Sequence, residues 1–356
     1  MSVITHIGTA VPAYCNQQSD IRDFMLGISQ ASDYEKRRLR LMYAKSGIDQ
    51  RYSVVKDYAC DINERTFFPK TQDLEPFPSV EKRMGIYGEN ATKLGVSAFE
   101  DAGIGTDYSS ITHLISVSCT GMSAPGLDVS LVESLGLSPE IVRTSVNFMG
   151  CYAAIHALKL ADAFCKSEAN AKVLIVLVEL CTLHFQKEDT LDYQMSNLLF
   201  GDGAAACLVQ NHGEGFDITS FYSKLYLEAQ DTMAWHISST GFLMSLKTEV
   251  PEVVEQNIKE FVESALHKSG QKISDIDAWA IHPGGRKIVE ATGKALALNA
   301  TDLGESYGVL KDFGNMSSCT LVFILKRMMA KSAKKVFVAG FGPGITMESI
   351  SLQKIG

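Results

Sequence analysis

Three residues of this sequence could together carry out acyl transfer: Cys151, His282 and Asn315. A cysteine thiolate attacks carbonyl carbons, and the positive end of a helix dipole favours that ionised form. A histidine beside the thiol can favour the thiolate by ion pairing and can donate a hydrogen bond to a developing oxyanion. Asparagine adds an N–H donor that does not titrate. Such a set would load an acyl group onto sulfur and would stabilise the enolate that a decarboxylation releases.

Taken singly, each of these residues has an ordinary structural explanation. Most cysteines in apolar helices are small core residues, most histidines at strand ends are structural, and asparagine before a helix is usually an N-cap. The chain has eight cysteines, and none forms a Cys-x-x-Cys pair or combines with histidine at zinc-binding spacing. The positions of the three residues along the chain must therefore decide between the two explanations.

A weak internal repeat puts Cys151 and Asn315 at equivalent positions. Each follows a glycine, precedes a predicted helix and lies between two short apolar runs that predict buried strands. The predicted strands cover 112–118 and 172–178 in the first copy and 277–282 and 335–340 in the second. Corresponding intervals in the two copies agree to within one residue. The repeat predicts two similar α/β halves that bring both residues to strand–helix junctions, where ligands bind in layered α/β proteins.

The segments around the repeat complete the expected architecture. Strands that are apolar on both faces favour a sheet covered by helices on both sides. The pattern over 20–105 predicts mostly helix, with a break at 67–69. His282 ends a predicted strand and is followed by the turn 283–285. The glycine-rich turn 340–344 lacks the Lys-Ser/Thr of a phosphate loop and precedes a strand, so we expect it to pack its backbone against the site.

Composition and charge argue against several classes of partner. The formal net charge is -8 and the pI is about 5.5, so nucleic-acid binding through a basic surface is not expected. The basic stretch at 35–40 is interpreted as a solvated helix face, with phosphate binding as the alternative. No run approaches the ~18 apolar residues of a membrane span, and the first residues lack a signal-peptide pattern. A cytoplasmic protein with reduced thiols is expected.

At these residues the sequence resembles the type III polyketide synthases, the chalcone synthase-like branch of the thiolase superfamily. Five matching segments follow one another in the right order: Gly150-Cys151, 200–206 (Phe-Gly-Asp-Gly-Ala-Ala-Ala), 281–285 (Ile-His-Pro-Gly-Gly), 314–318 (Gly-Asn-Met-Ser-Ser) and 340–344 (Gly-Phe-Gly-Pro-Gly). The resemblance implies a duplicated thiolase-like α/β fold with five layers, αβαβα, and halves at 1–215 and 216–356. It also implies a homodimer in which each subunit has its own active site, reached through a coenzyme A tunnel. No cofactor is implied beyond the coenzyme A thioester substrates.

The same resemblance implies a role for each matching residue. Cys151 takes the starter acyl group from its coenzyme A thioester. His282 and Asn315 stabilise the enolate formed when malonyl-CoA loses carbon dioxide, and the oxyanion during transfer. Phe200 borders the junction of tunnel and cavity, and Lys45 matches one of the basic residues that meet the coenzyme A phosphates.

The segment that matches the family's coenzyme A phosphate site departs from the family pattern at one position. The family has two further basic residues there, at the positions of Arg38 and Leu41, and leucine cannot bind a phosphate. Phosphate recognition is therefore expected to be partly rewired, through Arg37 or Arg40.

The cavity segments resemble bacterial members more than plant enzymes. Cys119, which precedes Thr120, stands where plant enzymes usually have Thr. Trp235 falls about where they have Gly beside the cavity, and Met244 about where they carry a second gatekeeping Phe. We expect these four residues to contact substrate, and we expect Trp235 to fill the space of a bulky aromatic starter. A short deletion leaves the place of His184 open. A pyrone, resorcinol or phloroglucinol-type product is expected rather than a chalcone.

Two alternatives remain open at this point. A single-condensation 3-oxoacyl-[acyl-carrier-protein] synthase III-like enzyme shares the Cys, His and Asn set, but the Gly-Phe-Gly-Pro-Gly turn and the His-Pro-Gly-Gly context argue against it. An inactive thiolase-fold binding partner would usually have lost one of the three polar residues, and all three are present.

Overall fold

The computed structural model describes residues 1–29, 31–105 and 108–356. Its strands are β1 Val3–Ala10, β2 Tyr14–Gln17, β3 Gln50–Ser53, β4 His113–Ser118, β5 Val142–Asn147, β6 Lys172–Leu180, β7 Asp202–Gln210, β8 Gly215–Leu225, β9 Met233–Ser238, β10 Gly241–Leu246, β11 Ala278–Ile281, β12 Lys335–Gly342 and β13 Thr346–Ile355. Its helices are α1 Gln18–Ile28, α2 Asp33–Ala44, α3 Val80–Asp101, α4 Leu127–Leu135, α5 Ala153–Ser167, α6 Leu191–Leu199, α7 Val250–Lys268, α8 Arg286–Leu296, α9 Gly304–Phe313 and α10 Cys319–Met329.

Nine strands form one mixed sheet in the order β11-β12-β13-β8-β1-β7-β6-β4-β5. The first half of the chain supplies β1, β4, β5, β6 and β7, and the second half supplies the other four. Within the sheet the two parts meet at a short antiparallel ladder, in which Val3 and Ile4 pair with Asp217 and Phe216. Two small hairpins, β2 with β3 and β9 with β10, lie outside this sheet.

Helices and sheet alternate in five layers, as the resemblance implied. Helices α5 and α10 lie between the two parts of the sheet, because one apolar core joins their side chains to residues of both parts. Helices α3 and α4 cover the outer face of the first part, and α7 and α8 cover the outer face of the second. Every residue of β4 is buried, which explains why this strand is apolar on both faces.

The predicted duplication is visible in the strand pairing. In the first half β4 runs parallel to β6, and β6 runs antiparallel to β7. In the second half β11 runs parallel to β12, and β12 runs antiparallel to β13. The helices after Cys151 and Asn315, α5 and α10, are the two central ones. The division at 1–215 and 216–356 stays a prediction, and that boundary falls at the first residue of β8.

The expectation of mostly helix over 20–105 is wrong between residues 50 and 79. Strand β3 pairs with β2 there, and the chain then follows an irregular path to the start of α3. Buried Asp57 stabilises this path by accepting hydrogen bonds from the backbone N–H groups of Thr66, Phe67 and Phe68 at 2.7–2.9 Å. A side chain that satisfies three backbone donors replaces the hydrogen bonds that a helix would have supplied.

Candidate active site

Cys151 follows a glycine with a left-handed backbone and precedes the first turn of α5. Gly150 has a φ of 79°, and a Cβ at this position would come within 2.2 Å of Pro343 Cδ. A Cβ on Gly342 would come within 2.6 Å of the Tyr152 ring. The glycine-rich turn therefore packs directly on the segment that contains Cys151, as the sequence predicted, and Cys151 is buried at 8% exposure.

Asn315 is fixed by its backbone against the end of α6. Its N–H donates to the Leu199 carbonyl at 2.9 Å, and its carbonyl accepts from the Gly201 N–H at 2.9 Å. This short bridge places Asn315 directly opposite Phe200. Gly314 before it has a φ of 70°, so both junctions of the repeat use a glycine in the left-handed region.

The side chain of Asn315 has a defined amide orientation. Its Oδ1 accepts a hydrogen bond from the Ser317 N–H at 2.8 Å, which can only donate. The Nδ2 atom, 3.4 Å from the Gly284 carbonyl, is therefore the donor of the amide. Cys151 Sγ lies 4.0 Å from Oδ1. The amide thus lies next to the thiol with N–H groups available to an oxygen atom.

His282 follows the last residue of β11, at the strand end where the sequence placed it. Its backbone N–H donates to Ala339 on the neighbouring strand at 2.8 Å. The imidazole is 1% exposed, and neither ring nitrogen has a hydrogen-bond partner among the described residues. Buried polar atoms are rarely left without a partner, so this ring is available for a ligand or a bound water.

One cavity of about 330 Å³ brings the predicted site residues together. All nine line it: Cys151, His282, Asn315, Lys45, Cys119, Thr120, Phe200, Trp235 and Met244. Its volume lies within the usual range of ligand pockets. Much of the remaining wall is aliphatic, from Met195, Leu198, Leu199, Leu246, Val250 and Ile288. Residues separated by more than 250 positions along the chain thus meet around one apolar space.

Burial opposes the thiolate form that the sequence favours at Cys151. Burial raises the pKa of the thiol to about 12, although hydrogen bonds from Ser317 and Asn315 act in the opposite direction. Burial likewise lowers the pKa of His282 to about 3. Desolvation therefore disfavours the charged form of both side chains.

Sequence reasoning missed Glu179, a buried carboxyl at the end of β6. It accepts hydrogen bonds from the Cys119 N–H at 2.9 Å, from Thr120 Oγ1 at 3.0 Å and from the Ser318 hydroxyl. Burial raises its pKa to about 7, and these bonds limit the rise. The carboxyl therefore links Cys119 and Thr120, which line the cavity, to Ser318, the residue before α10. Its signal in the sequence was a lone charged residue in the apolar run 173–180.

Trp235 and Met244 form one wall of the cavity from a hairpin. They are paired across β9 and β10, and the Trp235 indole N–H donates to the Cys119 carbonyl at 2.9 Å. The cross-strand pair fixes both side chains on the same face. Trp235 therefore lies beside the cavity, as the sequence predicted.

His184, whose place the sequence left open, lies behind this wall and does not line the cavity. Its ring stacks on Phe242 with centroids 4.1 Å apart. Its Nδ1 accepts from the Phe242 N–H at 3.0 Å, so Nε2 is the donor to the Thr120 carbonyl at 2.7 Å. Burial lowers the pKa of His184 to about 3. Both nitrogens are satisfied in the neutral form, which makes this histidine structural.

The mouth of the cavity is basic. Five cationic side chains line it: Arg38, Lys45, Lys247, Arg286 and Lys287. No Asp or Glu lines the cavity among the described residues. Leu41 lies in the same lining and is 54% exposed. Besides the cations of the α2 region, the opening is thus lined by three that the sequence did not single out: Arg286 and Lys287 at the start of α8, and Lys247 before α7.

The rewiring expected through Arg37 or Arg40 finds no support in this geometry. Both residues are exposed on α2 but neither lines the cavity. Arg286 lies close to the phosphate segment instead, since a Cβ on Gly47 would come within 3.1 Å of its Cδ. Only the folded chain brings the start of α8 beside the end of α2.

Solved structures share this fold over its full length. The type III polyketide synthase PKS-I from the brown alga Ectocarpus siliculosus matches with a TM-score of 0.91 and 26% identity, over 99% of this chain and 98% of that one. The C-terminal type III polyketide synthase domain of Steely1, a type I/III hybrid from Dictyostelium, matches with a TM-score of 0.91 and 24% identity, over 100% and 99%. The fold is therefore the thiolase-like fold of condensing enzymes.

Sequence comparison shows the family. The model for the N-terminal domain of chalcone and stilbene synthases matches residues 1–212, and the model for their C-terminal domain matches 217–356. The "Alpha-pyrone synthesis polyketide synthase-like Pks18" of Mycobacterium tuberculosis is 34% identical over 98% of this chain and 90% of its own length. The chain belongs to the chalcone and stilbene synthase family of type III polyketide synthases.

Family membership settles the reaction class. These enzymes are acyltransferases that condense acyl-CoA with malonyl-CoA under loss of carbon dioxide, and they need no cofactor besides the coenzyme A thioesters. The predicted family, fold and activity are thus confirmed. No helix of the described residues is both long and apolar enough to span a bilayer.

Proposed function

We propose that Cys151 is the nucleophile that carries the starter acyl group. Its Sγ attacks the thioester carbonyl, the bond from that carbon to the coenzyme A sulfur breaks, and the thiol proton passes through His282 to the departing thiolate. The His282 ring supports this order, since neither of its nitrogens has a hydrogen-bond partner among the described residues and one can accept the proton as the sulfur attacks. The convergence of thiol, imidazole and amide on one buried cavity carries the proposal.

His282 and Asn315 then serve the extension step. When malonyl-CoA loses carbon dioxide, the bonding pair of the broken C–C bond becomes an enolate whose oxygen accepts hydrogen bonds from the imidazole and from Asn315 Nδ2. The enolate carbon attacks the acyl group on Cys151, and the thiolate leaves. Fixed donors in a water-excluded site favour the developing charge. The anchored amide of Asn315 meets that requirement.

The walls of the cavity are proposed to set the product. Phe200, Trp235, Met244, Cys119 and Thr120 enclose the space in which the chain grows and cyclises. The limited volume and the aliphatic lining favour a short, folded intermediate. We assign a pyrone, resorcinol or phloroglucinol-type product, and the printed name of the mycobacterial relative, which refers to α-pyrone synthesis, supports the first of these.

The basic mouth is proposed to hold the phosphates of coenzyme A. Lys45 and Arg38 supply charge from α2, and Arg286, Lys287 and Lys247 supply it from the opposite side of the opening. Their positive charge compensates for the basic residue that Leu41 replaces. Phosphate groups are favoured near helix N-termini, and Arg286 and Lys287 are the first two residues of α8.

A cytoplasmic homodimer is the proposed working form. Strand β5 ends the nine-stranded sheet, and most of its residues are exposed, including Val142 at 48%. An unpaired edge strand is a ready surface for a second copy. Light scattering of the purified protein tests the assignment, and a monomer at all concentrations would contradict it.

The decisive assay offers a panel of acyl-CoA starters with malonyl-CoA and reads products by mass spectrometry. We expect polyketide products and carbon dioxide from the wild type, and neither product nor acylated protein from Cys151→Ala. Replacing malonyl-CoA by malonyl-carrier protein separates the single-condensation alternative, because strict dependence on the carrier protein would contradict the proposal. Full product formation by Cys151→Ala would overturn it.

A further inference from the structure

Arg51 is a buried cation beneath the active site that the mechanism above does not use. It lies on β3 and is 3% exposed, and its Nη2 has no hydrogen-bond partner among the described residues. Burying a charged group with an unmatched N–H has a substantial cost in folding free energy. The groups that this side chain contacts indicate what the charge does in the fold.

On one side, Arg51 holds the end of helix α6. Its Nη1 donates to the Phe200 carbonyl, and its Nε donates to Gln18 Oε1 at 2.9 Å. Gln18 Nε2 in turn donates to the Leu198 carbonyl at 3.0 Å. The last carbonyls of a helix have no partner within the helix. Arg51 and Gln18 therefore supply the hydrogen bonds that the carbonyls of Phe200 and Leu198 need where α6 ends.

On the other side, the stem of Arg51 packs against the residue before Asn315. A Cβ on Gly314 would come within 2.7 Å of Arg51 Cδ and 2.8 Å of its Cγ. Phe200 and Asn315 are themselves joined by their backbone bridge. Arg51 therefore contacts Phe200, which is one partner of the bridge, and Gly314, which precedes the other partner.

A carboxylate in the same segment balances the charge of Arg51. Burial lowers the pKa of the guanidinium, and Tyr43, Tyr58 and Asp202 act in the opposite direction. Asp202 follows Phe200 by two residues and accepts from the backbone N–H groups of Val54 and Thr182 at 2.9 and 2.8 Å. The charge is thus held between α6 and β7, beside a smaller pocket whose lining also includes Phe200, Trp235 and Met244.

We propose that Arg51 is a positioning residue that holds Phe200 in place beside Asn315 at their backbone bridge in the cavity wall, and thereby sets the rate of condensation and the length of the product. The inference rests on the proposed roles of Phe200 and Asn315. Displacements of about 1 Å at a reacting centre can cost roughly 100-fold in rate. The cationic side chains proposed to hold the coenzyme A phosphates do not belong to this bridge, so we expect the starter affinity to change much less than the rate.

The test compares Arg51→Met with Arg65→Met in the full-length enzyme. Arg65 is also a buried arginine, at 8% exposure with an unpartnered Nε, but it donates to the Pro69 and Thr71 carbonyls of a loop that does not line the catalytic cavity. We expect kcat of Arg51→Met per folded enzyme to fall about 10- to 100-fold with the starter KM changed less than about twofold. We expect the product ratio to shift towards shorter chains, and Arg65→Met to keep the wild-type kcat and product ratio.

Two further variants keep the inference falsifiable if Arg51→Met does not fold. Arg51→Lys retains the charge next to Asp202 but cannot bond Phe200 and Gln18 together, and Gln18→Leu removes the hydrogen bond to Leu198 while leaving Arg51 in place. Both are expected to shift the product ratio in the same direction by a smaller amount. Wild-type kcat and product ratio in both variants would overturn the inference, as would the same values in folded Arg51→Met.

Asn315→Ala in the same assays separates this inference from the proposed function. Wild-type activity of Asn315→Ala would remove the proposed role of the amide. An inactive Asn315→Ala beside an unaltered Arg51→Met would leave the proposed function intact and would show that Arg51 does not position the bridge.

Discussion

The two junctions of the repeat share a backbone design but differ in how firmly they hold their polar side chain. Cys151 and Asn315 each follow a glycine with positive φ and lead into a central helix. Asn315 makes backbone bonds to α6 and a 2.8 Å bond from Ser317 to its amide. The Cys151 thiol makes a longer contact of 4.0 Å to that amide and a side-chain hydrogen bond with Ser317.

This difference matches the chemistry proposed for each side chain. A nucleophile has to exchange a proton and form and break a bond, so strong hydrogen bonds to the sulfur would oppose its reaction. An oxyanion donor has to stay in place while charge develops, and its worth depends on that fixed geometry. The duplicated fold therefore provides two equivalent positions, of which one became reactive and the other became rigid.

The largest expected effect separates the two junctions by reaction step. Cys151→Ala should lower product formation by at least about 1,000-fold and should abolish acyl loading, because no nucleophile remains. Asn315→Ala should lower product formation by about 100- to 1,000-fold but should still load the acyl group. Intact-protein mass spectrometry after incubation with acyl-CoA alone measures loading. Exposed Cys15 supplies the control Cys15→Ser, which should retain loading and turnover.

Equal loss of loading in Asn315→Ala would contradict this division of labour. It would show that the amide is needed for attack by the thiol as well as for the enolate.

The glycines of the two junctions should be about equally intolerant of a side chain. Gly150→Ala would meet Pro343 at 2.2 Å, and Gly314→Ala would meet Arg51 and the Leu199 carbonyl at 2.7 and 2.8 Å, in each case at positive φ. We expect each to lower the free energy of unfolding by about 2–5 kcal/mol in urea titrations. Gly88→Ala on α3, where nothing lies within 4 Å, should raise it by about 0.5–1 kcal/mol.

Two buried carboxyls, one in each half, should respond to pH in opposite directions. Glu179 has a pKa of about 7 in the fold, raised by burial from 4.5, so the folded state binds its proton more tightly than the unfolded state. The free energy of unfolding of the wild type relative to Glu179→Gln should therefore fall as pH rises from about 4.5 to about 7, by on the order of 3 kcal/mol.

Glu348 provides the opposite case. Burial raises its pKa, but hydrogen bonds from His156, Lys159 and Ser223 outweigh burial and leave the pKa below its usual value. Its stabilisation is present above pH 4.5 and is lost as pH falls through the lowered pKa. Unfolding curves of Glu348→Gln and Glu179→Gln from about pH 3 to about pH 8 measure both effects. Parallel pH profiles for the two variants would contradict the assignment of their environments.

The smallest expected effect concerns the cavity mouth. Lys287→Ala should raise KM for acyl-CoA about three- to tenfold, because one phosphate contact is worth about 1 kcal/mol near the surface. It should leave KM for an acyl-pantetheine thioester unchanged, since that substrate carries no nucleotide. Arg37→Ala, on α2 but outside the cavity lining, is the matched control and should alter neither value. Equal effects of both substitutions would favour general electrostatic attraction instead.

The sequence predicted those parts of the molecule whose causes are local. Apolar runs gave β4, β6, β11 and β12 to within a few residues, since a strand buried on both faces leaves an unmistakable pattern. It failed at 50–79, where side-chain hydrogen bonds from Asp57 rather than periodicity decide the path. The sequence also could not show that burial opposes the thiolate at Cys151, because desolvation depends on what surrounds the sulfur.

By itself, the sequence determined the family, the fold and the identity of the nine residues around the cavity, because the reaction requires particular side chains in fixed motifs. Tertiary structure alone decided which other groups join them. Arg286 lies beside Lys45, Glu179 binds Cys119, and Arg51 holds Phe200, although no periodicity links the members of these pairs. Charge, burial and distance between such residues exist only after the chain has folded, and they decide how a shared set of motifs works in this enzyme.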